Sequence, residues 1–324
     1  MKNIKNKILE ILEKKYSEDG YVSGEFIGES LNISRAAVWK NIKELKNDGY
    51  KINAMPHKGY SLAKFNDVLS KEEIKKYLAA DTKISQIIYL DTVDSTNNYA
   101  KKNSFEHGTL IVAGEQTAGR GRSGHNFESP AGTGLYMSLV LKPKIEIEKF
   151  QMITVADAVA VCLAVEDLYP DAKENLKIKW VNDVFFNEKK IAGILTEAVT
   201  NFESGEIDSI ITGIGVNLST KNFNNDIAGS IFSGEQIFSR KELCAKIADY
   251  VMNFAEDLSD KNLIDSYRKR SLLKFGDKIS FIKNGKKVSA TVKEINDSGG
   301  LVIFNESGEE EVLRSGEVNT IKRK

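Results

Sequence analysis

The pattern of apolar and polar residues over 1–64 predicts three short helices followed by two strands. Apolar residues at helical spacing mark the first helix: Ile4, Ile8, Ile11 and Leu12. Ser23 and Ser34 precede the next two helical patterns and suit the N-cap position, where a hydroxyl accepts a backbone N–H. Residues 50–62 alternate polar and apolar on both sides of a Pro-His-Lys-Gly turn. Two helices around a three-residue turn, followed by such a hairpin, predict a winged helix-turn-helix.

Residues 65–272 alternate predicted strands and helices, as an α/β (α+β) domain does. Strands are predicted over 87–90, 110–114, 135–141, 177–180, 184–186, 191–195 and 210–218. Helices are predicted from a capping box at 70–73, from Asp-Ser-Thr at 94–96, and over 150–168, which is apolar on nearly every side and therefore buried. Because hairpin connections outnumber crossovers, we expect a mixed and largely antiparallel sheet.

Residues 273–324 predict a small all-β domain. Turn signals at 284–285, 297–300 and 305–308 separate short alternating stretches of Ile and Val. About five strands in about fifty residues are typical of a small SH3-like barrel. We therefore predict three domains, 1–64, 65–272 and 273–324.

Composition and charge narrow the class of protein. The 324 residues are 41% hydrophobic and 28% charged, as in an ordinary globular chain, and the net charge is zero. The zero hides an asymmetry, since residues 1–64 hold 12 Lys and Arg against 8 Asp and Glu. A basic terminal segment favours a nucleic-acid-binding module, whereas the alternative is a helical module of the same shape that only docks proteins.

Cys162 and Cys244 lie in apolar helical patterns, without the spacing of a disulfide framework or a zinc site. No apolar run approaches the roughly 18 residues of a membrane span. The first residues also lack an apolar signal segment. We therefore expect a cytoplasmic protein with no metal held by protein ligands and no membrane partner.

The segment 119–124 matches G-x-G-x-x-G, which in other proteins binds dinucleotides. Such a site needs a helix directly after the glycines, so that the helix N-terminus faces the pyrophosphate. Residues 125–134 hold one proline and two glycines, which disfavours a helix there. Arg120 and Arg122 instead predict a mobile loop, whose guanidinium and backbone N–H groups close over a carboxylate and a phosphate.

Three further clusters offer groups for chemistry. Residues 94–98 place hydroxyls and amides at a helix start, residues 179–190 hold lysines and an aspartate, and residues 213–217 form a glycine-rich strand end that a ligand could approach closely. The chain has no nucleophile elbow, Walker A loop or H-E-x-x-H motif, and its three histidines are scattered. Chemistry should therefore depend on positioning and on cations facing an anion, which fits formation of an acyl-adenylate from a carboxylate and ATP.

Three segments together resemble the signatures of biotin protein ligases. They are Gly119-Arg120-Gly121-Arg122-Ser123-Gly124, Lys179-Trp180-Val181-Asn182-Asp183 and Lys190-Ile191-Ala192-Gly193-Ile194-Leu195. With Ser34-Arg35-Ala36-Ala37 in the first domain, the whole chain resembles the bifunctional class, which combines biotin ligase with biotin-operon repressor. The resemblance implies a class II synthetase-like catalytic domain between the winged helix-turn-helix and the C-terminal barrel.

The resemblance also implies a role for each site residue. Biotin-binding residues would be Ser95, Thr96, Asn97, Gln116, Arg120, Gly121, Arg122 and Lys190. Nucleotide-binding residues would be Arg120, Arg122, Phe127, Lys179, Trp180, Asn182 and Asn217. Catalytic residues would be Lys190, Arg122 and Asp183, the last orienting the acceptor amine. DNA-binding residues would be Ser34, Arg35, Ala36, Lys40 and Lys43, within a helix-turn-helix from Gly24 to Lys43.

The implied activity is ATP-dependent ligation of biotin to a lysine of a biotin carboxyl carrier domain, through biotinyl-5′-AMP. ATP would arrive with Mg²⁺, and the adenylate would promote a homodimer that binds operator DNA. Two alternatives stay open: a lipoate or octanoate ligase of the same fold, and a transcription factor that senses a small ligand without turnover. The polar residues at 95–97 and 116 argue against a purely aliphatic acyl group.

Two positions depart from the family pattern. Phe127 stands where the family often has a tryptophan, so stacking on adenine would involve less area and no N–H donor. Val181 replaces a usual proline before Asn182. On local grounds alone, Ser95 also suits a simple helix cap, and Lys190 suits a solvated hairpin lysine.

Overall fold

The computed structural model describes residues 4–16, 20–142, 149–200 and 207–320. The chain forms two compact units, Met1–Glu73 and Ile74–Lys324. The predicted winged-helix segment falls in the first unit, and the predicted domain boundaries stay predictions. No helix in the described ranges combines the length and the hydrophobicity needed to cross a membrane.

The first unit is a three-helix module with a hairpin. Its elements are α1 (Ile4–Tyr16), α2 (Gly24–Leu31), α3 (Arg35–Asn47), β1 (Ile52–Met55) and β2 (Gly59–Leu62), with β1 and β2 antiparallel. Both predicted caps are confirmed, because Ser23 Oγ accepts from Phe26 N at 3.0 Å and Ser34 Oγ accepts from Ala37 N at 3.1 Å. Apolar side chains from all three helices form one core, among them Ile8, Ile27, Val38 and Ile42.

A seven-stranded mixed sheet forms the centre of the second unit. Its strands are β3 (Gln86–Val93), β4 (Thr109–Gln116), β5 (Gly134–Leu141), β6 (Leu176–Lys179), β7 (Asp183–Phe186), β8 (Lys189–Thr200) and β9 (Ile207–Asn217), in the order β3-β4-β5-β9-β8-β7-β6. β3 and β4 are parallel, and every other neighbouring pair is antiparallel, as predicted. The antiparallel pairing of β7 and β8 follows from the tight turn between them, in which Asn187 and Glu188 both have positive φ.

Helices cover both faces of this sheet. They are α5 (Thr96–Lys102), α6 (Phe150–Leu168), α7 (Arg240–Phe254) and α8 (Lys261–Arg270). A further short helix, α4 (Lys71–Lys75), contains the last residues of the first unit and the first residues of the second. Two neighbouring residues of β9 show that α5 and α6 lie on opposite faces of the sheet. Ile211 packs with α5 and Thr212 contacts α6, and successive strand residues point to opposite faces. α6 is buried along most of its length, as its apolar composition predicts, and it packs against β8, α7 and α8.

The C-terminal strands form a five-stranded antiparallel sheet. The strands are β10 (Lys278–Lys283), β11 (Lys286–Ile295), β12 (Leu301–Phe304), β13 (Glu310–Leu313) and β14 (Asn319–Thr320), in the order β13-β12-β11-β10-β14. The predicted strand number and turns are therefore confirmed. The turn between β11 and β12 contacts the central region, because Gly299 O accepts from Trp180 Nε1 at 2.9 Å and from Gln151 Nε2 at 2.7 Å.

Candidate functional site

A cavity of about 260 Å³ opens on the α5 face of the central sheet. Its wall contains most of the predicted site residues, namely Ser95, Thr96, Asn97, Gln116, Arg120, Gly121, Arg122, Phe127, Lys179, Trp180, Asn182, Asp183 and Lys190. Asn217 is buried at the end of β9 and is not part of this wall, so its nucleotide role stays a prediction. The fold thus brings segments that are far apart in sequence to one place.

Buried polar side chains form a network at the start of α5. Gln116 Oε1 accepts from Thr96 N at 2.9 Å, and Gln116 Nε2 donates to Ser129 Oγ at 2.9 Å. Ser138 Oγ lies 2.6 Å from Asn97 Oδ1 and 2.7 Å from Thr96 Oγ1. Because these groups are held by one another before any ligand binds, the network presents a preorganised set of donors and acceptors.

Ser95 combines both roles that the sequence leaves open for it. Its Oγ accepts from Asn98 N at 3.5 Å, as the N-cap of α5. A hydroxyl has one donor and two acceptor lone pairs, so the capping Oγ can still donate to a ligand. Ser95 is buried and lines the cavity, which places that donor beside the polar network.

Two glycines of β9 make room for protein side chains. A Cβ at Gly213 would lie 2.3 Å from Asn97 Oδ1, and a Cβ at Gly215 would lie 2.5 Å from the Phe127 ring. The sequence predicts that a ligand approaches these glycines, whereas the structure packs Asn97 and Phe127 directly on them. Glycine is therefore required here by the side chains that build the cavity.

The segment 119–124 is a closed turn and not a helix start. Gly121 N donates to His125 O at 2.7 Å, and His125 N donates to Arg122 O at 3.0 Å. Only a three-residue 3-10 turn, Arg122–Gly124, interrupts the loop, and Ser123 has a φ of 53°. Without a helix after the glycines, the dinucleotide-binding alternative is excluded by geometry.

The two arginines of this loop have different partners. Arg122 Nη1 donates to Asn182 Oδ1 at 3.1 Å, and Asn182 Nδ2 donates to Ile194 O at 3.0 Å. Arg120 Nη1 donates to Asn98 Oδ1 at 2.8 Å. Burial lowers the pKa of Arg122, while Asp183 and Glu317 oppose that shift. A guanidinium nonetheless stays charged at any working pH, so Arg122 brings a partly desolvated cation to the cavity.

Lys190 pairs with Asp183 across the hairpin of β7 and β8. Lys190 Nζ lies 2.7 Å from Asp183 Oδ1, which is an ion-pair distance without hydrogen-bond geometry. The ammonium lies over Gly193, because a Cβ there would be 3.5 Å from Lys190 Nζ. Lys190 is therefore a cation of the cavity wall and not a solvated hairpin lysine.

Trp180 belongs to the cavity wall and to the core at once. Its side chain is buried, and its Nε1 donates to Gly299 O of the C-terminal sheet. The peptide bond between Trp180 and Val181 is cis. Lys179 Nζ donates to Asn319 Oδ1 at 3.4 Å, so the ligase signature at 179–183 also contacts β14.

Sequence reasoning did not identify several residues of the wall or its immediate support. Ser138 and Glu197 hold Asn97, Ile227 and Asn225 line the cavity, and Glu317 lines it from the loop between β13 and β14. Strand alternation could have placed Ser138 and Glu197 on this face. No local sequence pattern could have identified Glu317, because its position at the cavity depends on how the C-terminal sheet packs against the central region.

The predicted DNA-binding residues lie on the exposed side of α3. Ser34, Arg35, Ala36, Lys40 and Lys43 are all exposed. Trp39, which sequence reasoning did not select, is 59% exposed, and Lys43 Nζ lies 5.4 Å from its ring centroid. An exposed, basic helix of this kind suits a major groove.

Comparisons with known proteins agree with this architecture. Residues 89–217 match the Biotin/lipoate A/B protein ligase family, and residues 5–61 match an HTH domain. The "Bifunctional ligase/repressor BirA" of Bacillus spizizenii is 38% identical over 244 residues, which cover 72% of this chain and 73% of that protein. The protein of the same name from Salmonella typhimurium is 29% identical, covering 91% and 94%.

Solved structures of a biotin protein ligase are also similar to this chain. A biotin protein ligase from Aquifex aeolicus, solved in complex with biotin and ATP, has a TM-score of 0.62 and 28% identity, covering 74% of this chain and all of that one. A second structure of that ligase has a TM-score of 0.58 and 26% identity. Motifs, fold and similarity therefore agree, and the chain belongs to the family of bifunctional biotin protein ligases and repressors.

Proposed function

We propose that the protein ligates biotin to a lysine of a biotin carboxyl carrier domain through biotinyl-5′-AMP, and that it represses transcription in response to biotin. The observation that carries the ligase proposal is the meeting of all three signatures around one cavity. The repressor proposal is supported by the exposed basic helix α3 and by the HTH match. The names of the relatives describe both activities.

The cavity suits a ligand with a polar head and an acidic tail. Asn97 packs on Gly213 and Lys190 Nζ lies over Gly193. In the pairing of β8 and β9, Gly213 faces Leu195, two residues from Gly193. At about 3.3 Å per residue, the head and tail positions are roughly 7 Å apart along the strands. Biotin has a ureido head and a carboxylate tail, so one molecule would reach both.

The first step joins a carboxylate oxygen of biotin to the α-phosphorus of ATP and releases pyrophosphate. The ammonium of Lys190 and the guanidinium of Arg122 would offset the negative charge that the carboxylate and the phosphates bring together. Across the described residues no cluster of three His, Cys, Asp or Glu side chains could hold a metal ion. We propose that Mg²⁺ reaches the site on the phosphates of ATP.

The second step transfers the acyl group. The amine nitrogen of the carrier lysine attacks the acyl carbon, AMP leaves with the bonding electrons, and the amine loses a proton. Asp183, part-buried beside Lys190, would orient that amine and accept its proton. This role requires Lys190 to leave Asp183 for the carboxylate or phosphate of the substrate.

Purified protein, labelled biotin, ATP and a carrier domain test the ligase proposal. Label should appear on the carrier and should be absent when the acceptor lysine is replaced by arginine. Pyrophosphate exchange with biotin, lipoate or octanoate separates the alternative acids. Exchange that is faster with lipoate than with biotin would overturn the choice of substrate.

Operator binding should depend on the exposed side of α3. Arg35→Ala and Lys40→Ala should each weaken operator affinity about tenfold and reduce the salt slope by about one, the usual loss of one contact. Carrier biotinylation should stay unchanged, because the ligase residues lie in the other unit. Lys46→Ala, which removes another lysine of α3 outside the predicted set, is the control. Equal affinities for all four proteins, measured by fluorescence anisotropy, would contradict the assignment.

We further propose that biotinyl-5′-AMP promotes a homodimer whose two helix-turn-helix modules bind a two-fold operator. The glycine- and arginine-rich composition of 119–124 supports this, since a ligand that orders such a loop can favour one assembly over another. Sedimentation velocity at micromolar protein should show a larger species once the adenylate is added. A profile that does not change would reject the coupling.

We also place the protein in the cytoplasm. Cys162 and Cys244 are free and buried, as thiols are in a reducing compartment.

A further inference from the structure

Glu197 is a carboxylate beside a site that has to bind anions. It lies on β8, on the same face as Gly193 and Leu195, with a side chain that is 19% exposed. Its oxygens contact three side chains: Asn97 Nδ2 at 2.9 Å, Lys101 Nζ at 2.8 Å and Arg120 Nη2 at 3.4 Å. Asn97 and Arg120 are predicted biotin-binding residues, so Glu197 can affect biotin binding through its contacts with them.

The first effect of Glu197 is on the orientation of the Asn97 amide. Asn97 Nδ2 donates to Glu197 Oε2 and to Leu195 O, and Asn97 Oδ1 accepts from Ser138 Oγ. A carboxylate and a carbonyl can only accept, so a flipped amide would place oxygen against two acceptors. With both amide hydrogens used, Oδ1 is the amide atom that retains capacity for one more hydrogen bond. Asn97 can therefore only accept from a ligand N–H.

The second effect is on Arg120. The Arg120 guanidinium is held by Asn98 Oδ1 through one nitrogen and by Glu197 through another. Burial alone would raise the pKa of Glu197, but hydrogen bonds from Lys101 and Asn97 and the charges of Lys101 and Arg120 bring it below its ordinary value. The carboxylate is thus ionised at neutral pH and helps to hold the Arg120 guanidinium in place.

From these contacts we infer that Glu197 is a positioning residue, which makes Asn97 an acceptor for a ureido N–H and holds Arg120 beside the same ligand. The inference rests on the proposed biotin site. It explains why a chain that binds anions keeps a carboxylate here. It also implies that the protein prefers ligands whose head carries an N–H group because Glu197 orients the Asn97 amide.

Glu197→Gln is the informative change. It keeps the size of the side chain but replaces one acceptor oxygen with an NH₂ group, so the orientation of Asn97 is no longer dictated. We expect the KM for biotin in pyrophosphate exchange to rise about tenfold, the usual value of one hydrogen bond to a charged group, with kcat within twofold of wild type. Glu197→Asp, which keeps the charge but shortens the side chain, should not restore the KM.

Lys101→Met is the matched control. Lys101 shares the Glu197 carboxylate but does not line the cavity, so its loss removes the ion pair and leaves the cavity wall and the contact between Glu197 and Asn97 in place. Its KM should stay within twofold of wild type. An equal rise in Lys101→Met and Glu197→Gln would show that the ion pair between α5 and β8 is what matters, and would overturn the inference.

The double variant Asn97→Ala/Glu197→Gln decides whether Glu197 acts through Asn97. If it does, the two changes remove one shared interaction, so the KM of the double variant should rise by clearly less than the product of the two single effects. If the KM increases of the two single variants multiplied in the double variant, the inference about Glu197 would be contradicted, but the proposed biotin site would not. An Asn97→Ala variant with the wild-type KM would instead show that the proposed site assignment itself is wrong.

Discussion

Lys190→Met should reduce biotin-dependent pyrophosphate exchange about a hundred- to a thousandfold, the usual cost of losing one group that stabilises developing charge in a closed site. The ammonium lies over Gly193 on the cavity face, where a biotin carboxylate and the α-phosphate would meet. Methionine keeps the length and the apolar contacts of the side chain but has no charge. Exchange is the right measurement because it reports adenylation without a carrier domain.

Lys189→Met provides the control for that result. Lys189 is the neighbouring residue of β8, is exposed, and donates to Asp226 O at 2.6 Å. Because successive residues of a strand face opposite sides, Lys189 points away from the cavity, and exchange should stay within twofold of wild type. If both variants kept wild-type exchange, Lys190 would be an ordinary hairpin lysine and the catalytic assignment would fall.

The second large effect concerns a buried carboxyl group behind the cavity. Asp157 on α6 is fully buried; its Oδ2 accepts from Thr212 Oγ1, and Thr212 faces Thr196 in the pairing of β8 and β9. Burial raises the pKa of Asp157 to about 7 from 3.8, although hydrogen bonds from Thr212 and Thr196 oppose the shift. The carboxyl group is therefore protonated in the folded protein at pH values where the unfolded chain has ionised it.

The sign of the pH dependence follows from that difference. Well below pH 3.8, the ordinary pKa of an aspartate, the group is protonated in both states, and its contribution to stability is fully present. As pH rises from about 4 to about 7, the unfolded state loses its proton first, so stability falls by about 4 kcal/mol in total. Asp157→Asn cannot ionise, and its stability relative to wild type should rise by that amount between pH 4 and pH 8.

Urea unfolding at several pH values measures this effect. Trp180 lies in the second unit and Trp39 in the first, so Trp180 fluorescence in a Trp39→Phe background reports the unit that holds Asp157. Asp208→Asn, an exposed change on the strand that carries Thr212, should show no such rise. If the difference between Asp157→Asn and wild type were the same at every pH, the carboxyl group would not titrate in this range.

Local features of the fold could be predicted because their physical causes lie within a few residues. The caps at Ser23, Ser34 and Ser95 are hydrogen bonds between residues three positions apart. The hairpin at 187–188 follows from a polar turn between two apolar stretches, in which Asn187 tolerates positive φ. The burial of α6 follows from its all-round apolar composition. The G-x-G-x-x-G match was correctly rejected for a local reason too, since 125–134 cannot form a helix.

Features that depend on long-range contacts could not be predicted in the same way. α8 is polar in sequence, and its placement depends on contacts such as that of Tyr267 Oη with Val181 O at 3.0 Å. Gly213 and Gly215 suggested open space for a ligand, yet Asn97 and Phe127 occupy it. The place of Asn217 outside the cavity likewise follows from strand register, which a single sequence does not display.

The amino-acid sequence by itself determined the order of the strands, the helix caps, the tight turns and the three ligase signatures, because each depends on short-range chemistry or on residue identity. Only the tertiary structure decided which partner each charged group has. Glu197 and Asn97 are one hundred positions apart in the sequence. Sheet pairing and the packing of α5 bring Asn97 Nδ2 to 2.9 Å from Glu197 Oε2. Electrostatic function depends on such distances, and distances between remote residues exist only in the folded chain.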